Sequence, residues 1–259
     1  MVWTMQTGPD LVETRRGRWV HLELNRPAVR NALSNALLAL LAGRMLTLAE
    51  DPHCRAVLIS GVGGDFSSGA NLSELAARSA ARGSRDPSKA HWAAIRGFAK
   101  PLVVAVDGAC LGTGFELALM ADCLVLGGTA RIGLPETGWG LMPGAGGSQR
   151  LTSLAGRARA MRMVMTGEVI DADRAVRWGI AGWQVAGSAL PEAVALTERL
   201  SARAPLALAA AKAAILAGDE GRLAFGTERA GFEALLDTAD KVEGIAAFRG
   251  RRAPEFKGE

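Results

Sequence analysis

Apolar and polar positions alternate through Trp19 to Leu24, WVHLEL, as they do along a half-buried strand, and Asn25-Arg26-Pro27 ends the run. Ser34 stands where it can cap a helix through LLALLAGRMLTLAED, whose apolar residues recur at helical spacing. Ala56 to Ser60, AVLIS, is fully apolar up to its last residue and runs into the Gly-rich GVGG, which reads as a buried strand and loop. Leu102 to Val106, LVVAV, and Cys123 to Leu126 are two more apolar strands. Residues 74–90, ELAARSAARGSRDPSKA, are small, charged and weakly patterned, and read as a mobile helix or loop. Strands alternating with helices predict parallel β-α units covered on both faces, an α/β class. From about Leu190 the pattern changes to Ala-rich amphipathic stretches with no strand signal. The expected organisation is a core over residues 1–199 and an α-helical C-terminal region over 200–259.

Composition narrows this picture. At 259 residues, 49% of them hydrophobic, the chain suffices for one large domain or one domain with an appendage. The formal net charge is +4, and most basic residues are Arg, scattered except for Arg249, Arg251 and Arg252. A scattered excess argues against nucleic acid, which favours a clustered basic stripe, and suits a small polyanionic ligand. Three cysteines, Cys54, Cys110 and Cys123, in apolar surroundings predict buried free thiols in a reducing compartment. The N-terminal MVWTMQTGPDLVE lacks the basic-then-apolar order of a signal peptide. The longest apolar run, Pro101 to Leu126, holds Asp107, Glu116, Asp122 and several glycines, so it reads as strand, turn, helix, strand rather than a membrane span. A cytoplasmic protein is expected.

Three Gly-rich loops carry the candidate chemistry: GVGGDFSSGANL (Gly61 to Leu72), GTGFEL (Gly112 to Leu117) and GLMPGAGGSQRL (Gly140 to Leu151). The second and third fail the dinucleotide fingerprint, having Leu117 and Gln149 at the last Gly position. No phosphate-binding P-loop and no Gly-x-Ser-x-Gly elbow exists. His21, His53 and His91 lie far apart without metal spacing, which weighs against a zinc enzyme and a Ser-His-Asp hydrolase, so no metal site is expected. Such loops can instead expose backbone N–H groups at helix starts, and two aimed at one point make an oxyanion hole. Thr113 precedes a helix expected over Phe115 to Ala121, and Ala70 precedes a helical stretch from Leu72. Ordinary strand-to-helix turns are the plain alternative. Two acids then stand out. Glu116 lies in the first helical turn after Gly114, and Glu136 follows a strand-like ARIGLPETGWG with Pro135 fixing its approach. Apolar surroundings raise a carboxyl pKa toward neutrality, so the pair could supply one acid and one base. Dipole complementarity alone could also place an acid at a helix start.

The segments LNRPAVRNALS (Leu24 to Ser34), GDFSSGANL (Gly64 to Leu72), VDGACLGTGFELALMAD (Val106 to Asp122), LPETGWGLMPGAGGSQRL (Leu134 to Leu151) and EGIAAFRGRRAPEFKG (Glu243 to Gly258) occur in one collinear order. With them the chain resembles the crotonase superfamily, the enoyl-CoA hydratase/isomerase family, over nearly all its length. The resemblance implies a crotonase-like ββα spiral core with a helical C-terminal oligomerisation region, assembled as a homotrimer or dimer of trimers. It implies an acyl-CoA thioester as substrate, with coenzyme A part of that substrate and no separate cofactor, and a setting such as fatty-acid β-oxidation. By motif position the backbone N–H groups of Ala70 and Thr113 would hold the thioester enolate. Glu136 would serve the Cα proton and Glu116 would orient the water that attacks Cβ. Gly144 would shape the water and acyl site, and Ala70, Asn71, Leu72 and Ser73 would border the CoA adenine and pantetheine. Residues 74–90 and Trp139 would line the acyl pocket. Three positions depart from the family pattern: Thr113 for a middle Gly, Asn71 for a frequent Asp, and Ser73 for a frequent Lys. The expected activity is hydration of a 2-enoyl-CoA. An enoyl-CoA isomerase or another crotonase-type lyase, or a non-catalytic acyl-CoA binder, are the alternatives. The basic residues Arg249, Arg251, Arg252 and Lys257 read either as a solvated helix end or as contacts to CoA phosphates.

Overall fold

A computed structural model of the chain describes residues 9–76, 86–219 and 225–259. The larger of its two sheets has the order β1-β2-β3-β4-β6-β9. Its strands are β1 (Leu11–Arg16), β2 (Trp19–Leu24), β3 (Ala56–Gly61), β4 (Leu102–Val106), β6 (Cys123–Leu126) and β9 (Trp183–Gln184). Only the β1–β2 hairpin is antiparallel. The polar sequence LVETRR hides β1 from pattern reading, because an edge strand with one partner needs few apolar residues. The half-burial expected of β2 is overturned. Both its edges are paired and both its faces are covered, so even His21 is buried, hydrogen-bonded to Ser60 Oγ at 2.8 Å.

After each inner strand the chain crosses to a second layer. Beyond β3, Ser67 and Ala70 bridge to Cys110 and Leu33. Beyond β4 comes β5 (Ala109–Leu111), and beyond β6 comes β7 (Arg131–Gly133), which pairs parallel to β5 and antiparallel to β8 (Ile170–Asp171). Helices close the turns: α1 (Asn35–Glu50), α2 (Leu72–Ala76) and α3 (Ser88–Arg96), α4 (Thr113–Ala118), then α5 (Gly147–Ala155), α6 (Arg157–Thr166) and α7 (Ala172–Arg177). This repeated strand–strand–helix turn is the ββα spiral expected from the resemblance. Ser34 does cap α1, its Oγ accepting from Leu37 N at 3.1 Å.

Both faces of the large sheet are covered, as the apolar strands require. Val57, Ile59, Val104 and Val106 face α1 and α4, packing with Leu37, Leu41, Met45 and Phe115. Their neighbours Ala56, Leu58, Val103 and Ala105 face the other way, onto Ala193 and Leu196 of α8 (Leu190–Ser201). The expected division near residue 200 falls in the last turn of α8. Beyond it lie α9 (Pro205–Asp219), α10 (Phe225–Leu235) and α11 (Ala239–Arg249), helices as anticipated. They are tied back by Lys212, whose Nζ donates to Asp122 Oδ2 at 2.8 Å, and by Arg55, whose Nη2 donates to the carbonyl of Phe256 at 2.6 Å. Arg249 sits in the last turn of α11, and Arg252 forms a two-pronged pair with Glu243. Cys54 and Cys110 are buried free thiols, while Cys123 is only half-buried. Among the described residues, no single helix is long and apolar enough to cross a membrane.

Candidate active site

The site forms where the two Gly-rich turns come together. Ser67 bridges Cys110 in parallel, with Ser67 N donating to Ala109 O and Leu111 N donating to Ser67 O. Parallel strands advance in step, so three residues further along each lie Ala70 and Thr113. The approach is close: a Cβ on Gly114 would stand 2.6 Å from Ser67 Cβ, so only glycine lets α4 begin there. Ala70 also bridges Leu33, where Leu33 N donates to Gly69 O and Asn71 N donates to Leu33 O. That pairing uses the flanking groups and turns the Ala70 N–H away from Leu33. Thr113 is the first residue of α4, where an N–H has no partner within the helix. The helix thus begins two residues before the expected Phe115, and Thr113 belongs to it.

Gly112 makes the turn into α4 with φ 51°, a conformation that disfavours other residues. Its N–H donates to Gly133 O at 2.9 Å, which ties the turn to β7. The chain leaves β7 through Leu134-Pro135 into a 3₁₀ turn, Glu136–Trp139. This brings the Glu136 carboxylate over the turn: a Cβ on Gly112 would lie 3.1 Å from Glu136 Oε1. Glu136 is 7% exposed, and neither of its carboxyl oxygens has a hydrogen-bond partner among the described residues. Burial, opposed by its own backbone N–H and reinforced by the nearby Glu116 charge, pushes its pKa up to about 7.

Glu116 is equally enclosed but differently held. Its Oε1 accepts from Ala145 N at 2.7 Å, in the loop that enters α5, and from Gly147 N at 2.8 Å, at the first residue of that helix. Burial raises its pKa, while the N–H groups of Gly147, Ala145 and Gly144 and the Arg150 charge oppose the rise. One carboxylate is therefore anchored by donors that favour its charged form against the effect of burial. The other is bare and retains a proton near neutrality.

Both acids line one cavity of about 470 Å³, together with Ala70, Gly112, Thr113, Trp139 and Gly144. Asn71, Leu72 and Ser73 are not among its walls. Asn71 instead caps α2, its Oδ1 accepting from Ser73 N at 3.1 Å, and Leu72 is exposed. Of the segment 74–90, Leu75, Asp86, Ser88 and Lys89 reach the cavity, and residues 77–85 lie outside the described residues. Sequence reasoning missed Ala145 and Gly147 as donors, although they stand in the quoted GAGG run. It also missed Trp92 and Arg96, which extend the α3 wall. Among the described residues, no group of three or more His, Cys, Asp or Glu could hold a metal ion.

The enoyl-CoA hydratase/isomerase family model matches residues 17–259. The chain belongs to that family. It is 42% identical to the 2,3-dehydroadipyl-CoA hydratase of Escherichia coli strain K12, covering 96% of this chain and 99% of the relative. It is 37% identical to a mitochondrial enoyl-CoA hydratase domain-containing protein 2 of Bos taurus, over 91% and 83% of the two chains. The fold matches the crystal structure of enoyl-CoA hydratase subunit I from Geobacillus kaustophilus HTA426, with a TM-score of 0.93 and 34% identity. That match spans 97% of this chain and 99% of the other.

Proposed function

We propose that this family member is an enoyl-CoA hydratase that adds water across the 2,3 double bond of a 2-enoyl-CoA. The observation that carries this reading is the pair of buried carboxyls on one cavity, one held by two N–H groups and one held by none. The thioester oxygen rests between the N–H groups of Ala70 and Thr113, which take up the negative charge as the enolate forms. Glu116, ionised and fixed through Oε1, keeps Oε2 for a hydrogen bond from water and sets that water against Cβ. The water oxygen bonds to Cβ and loses a proton to the carboxylate pair, and protonated Glu136 gives its proton to Cα. No metal or separate cofactor takes part. The Escherichia coli and Geobacillus kaustophilus proteins named as hydratases support the assignment, and the former's name describes a thioester whose acyl chain ends in a carboxylate.

The remaining expectations belong to the same reading. CoA runs out past Ala70 toward Asn71, Leu72 and Ser73. The tail exposes Ile215, Phe232, Val242 and Phe248, and this apolar surface supports assembly into a trimer or a dimer of trimers. The free thiols support a reducing, cytoplasmic setting.

Mass-detected turnover on saturated, 2-enoyl and 3-enoyl CoA thioesters tests the assignment. Water addition to the 2-enoyl thioester is expected. Double-bond migration without water addition would replace hydratase by isomerase. Tight binding with no turnover would leave a binding protein.

A further inference from the structure

Helix α3 presents Ser88, Lys89, Trp92 and Arg96 to the cavity, a spacing that puts them on one face. Lys89 and Arg96 stand seven residues apart, about 10 Å along the helix axis at 1.5 Å per residue. The two cations therefore mark different ends of the site. Arg96 also lines a second, mainly apolar cavity of about 550 Å³, whereas Lys89 does not. The walls of that second cavity include Leu119 and Met120, just past the C-terminal end of α4, and Leu154 of α5. Arg96 is thus the residue of α3 that the catalytic cavity shares with its apolar neighbour.

The charges there are unevenly matched. Lys212 is paired with Asp122, and Arg150 Nη1 donates to the carbonyl of Ala145 at 3.1 Å. Arg96 has neither an ion pair nor a hydrogen bond among the described residues. Among the described residues, Asp86 and Lys89 are the other charged walls of the catalytic cavity besides its two glutamates. Arg96 is exposed and lines both cavities, and a guanidinium without a partner is matched by a planar, two-oxygen anion.

We propose that Arg96 is a specificity-determining residue that binds a carboxylate at the far end of the acyl chain, so that the preferred substrates are short 2-enedioyl-CoA thioesters. The inference rests on the hydratase reading and adds the chemistry of the acyl terminus. In a six-carbon chain the terminal carboxyl carbon stands three bonds beyond Cβ, on the α3 side of Glu116. The carboxylate exchanges water for a two-pronged pair with the guanidinium, while the methylenes lie against Trp92.

The test compares trans-2-hexenedioyl-CoA with trans-2-hexenoyl-CoA, which share CoA and chain length and differ only at the terminus. The readout is the ratio of kcat/KM for the two. The wild type should favour the dioyl thioester at least tenfold, and Arg96→Met should lower that ratio by about tenfold to a hundredfold, the range for a charge-assisted hydrogen bond. Arg96→Lys should restore part of it. A fall of both substrates together, with the ratio unchanged, would overturn the proposal, since a contact to CoA or a folding defect affects both alike. A wild type that prefers hexenoyl-CoA would overturn it and leave the hydratase reading intact. Hydration of neither thioester would remove both.

Discussion

The bare carboxyl of Glu136 makes a prediction in which activity and stability move in opposite directions. Glu136→Gln replaces an ionisable oxygen by an amide of nearly the same size. The folded-state pKa of about 7 lies above the ordinary 4.5, because burial penalises the charged form. The folded protein therefore binds more protons than the unfolded chain between those values, and stability falls as pH rises from about 4.5 to about 7. The full cost is present above that window and absent below it. The gap corresponds to roughly 3 kcal/mol at 1.36 kcal/mol per pH unit. The amide cannot ionise, so the variant escapes this cost. At pH 8 Glu136→Gln should be more stable than wild type by up to about 3 kcal/mol, and at pH 4.5 the two should nearly coincide. With a urea slope of about 3 kcal/mol per molar, the midpoint should move up by about 1 M at pH 8. Urea unfolding followed by fluorescence, at one fixed protein concentration, measures both conditions. The same variant should lose about 10²- to 10⁴-fold in kcat for 2-enoyl-CoA hydration, the range for a missing general acid. An equal stability offset at both pH values would refute the reasoning, because it would mean that Glu136 titrates as an ordinary surface acid.

The donor at Thr113 can be removed without moving the helix. Thr113→Pro occupies the first helical position, where proline is tolerated and only the N–H is lost. Hydration should fall about 10²- to 10³-fold in kcat with circular dichroism unchanged. Thr113→Gly, which keeps the N–H, should retain activity within about tenfold, and an equal loss in both variants would show that the side chain matters. Glu116→Ala leaves the N–H groups of half-buried Ala145 and buried Gly147 unpaired, at a cost of about 1–3 kcal/mol for the buried one. A thermal midpoint unchanged from wild type would contradict that anchoring.

Much of this was legible in the chain because it depends on local chemistry. The runs AVLI and LVVAV are apolar at every position facing either sheet surface, so their burial follows from composition alone. The C-terminal helices follow from Ala-rich amphipathic stretches. The polar edge strand β1 and the three-residue β5 were not legible. Strand β1 has one partner, so its side chains need not be apolar. Strand β5 lies inside a glycine-rich turn, and its extended shape comes from pairing with β7 and with Ser67. Both are strands because of what lies beside them.

The same distinction separates the two glutamates. In sequence they are alike: each is an acid in a glycine-rich, apolar stretch, and burial alone would raise both. What divides them is a tertiary contact. The loop Gly144 to Gly147 wraps the side chain of Glu116 and gives it two N–H donors, while the 3₁₀ turn sets Glu136 against the Cα of Gly112, which offers it no donor. A hydrogen-bonded carboxylate is stabilised in its charged form and an isolated one in its neutral form. The proposed division of labour, one group to hold water and one to carry a proton, therefore rests on backbone geometry. It also bears on why a threonine can stand in the second Gly-rich turn. In the proposed mechanism the chemistry there is carried by a main-chain N–H that any residue except proline supplies, so that reading leaves the side chain at position 113 free to vary but not those of Glu116 and Glu136.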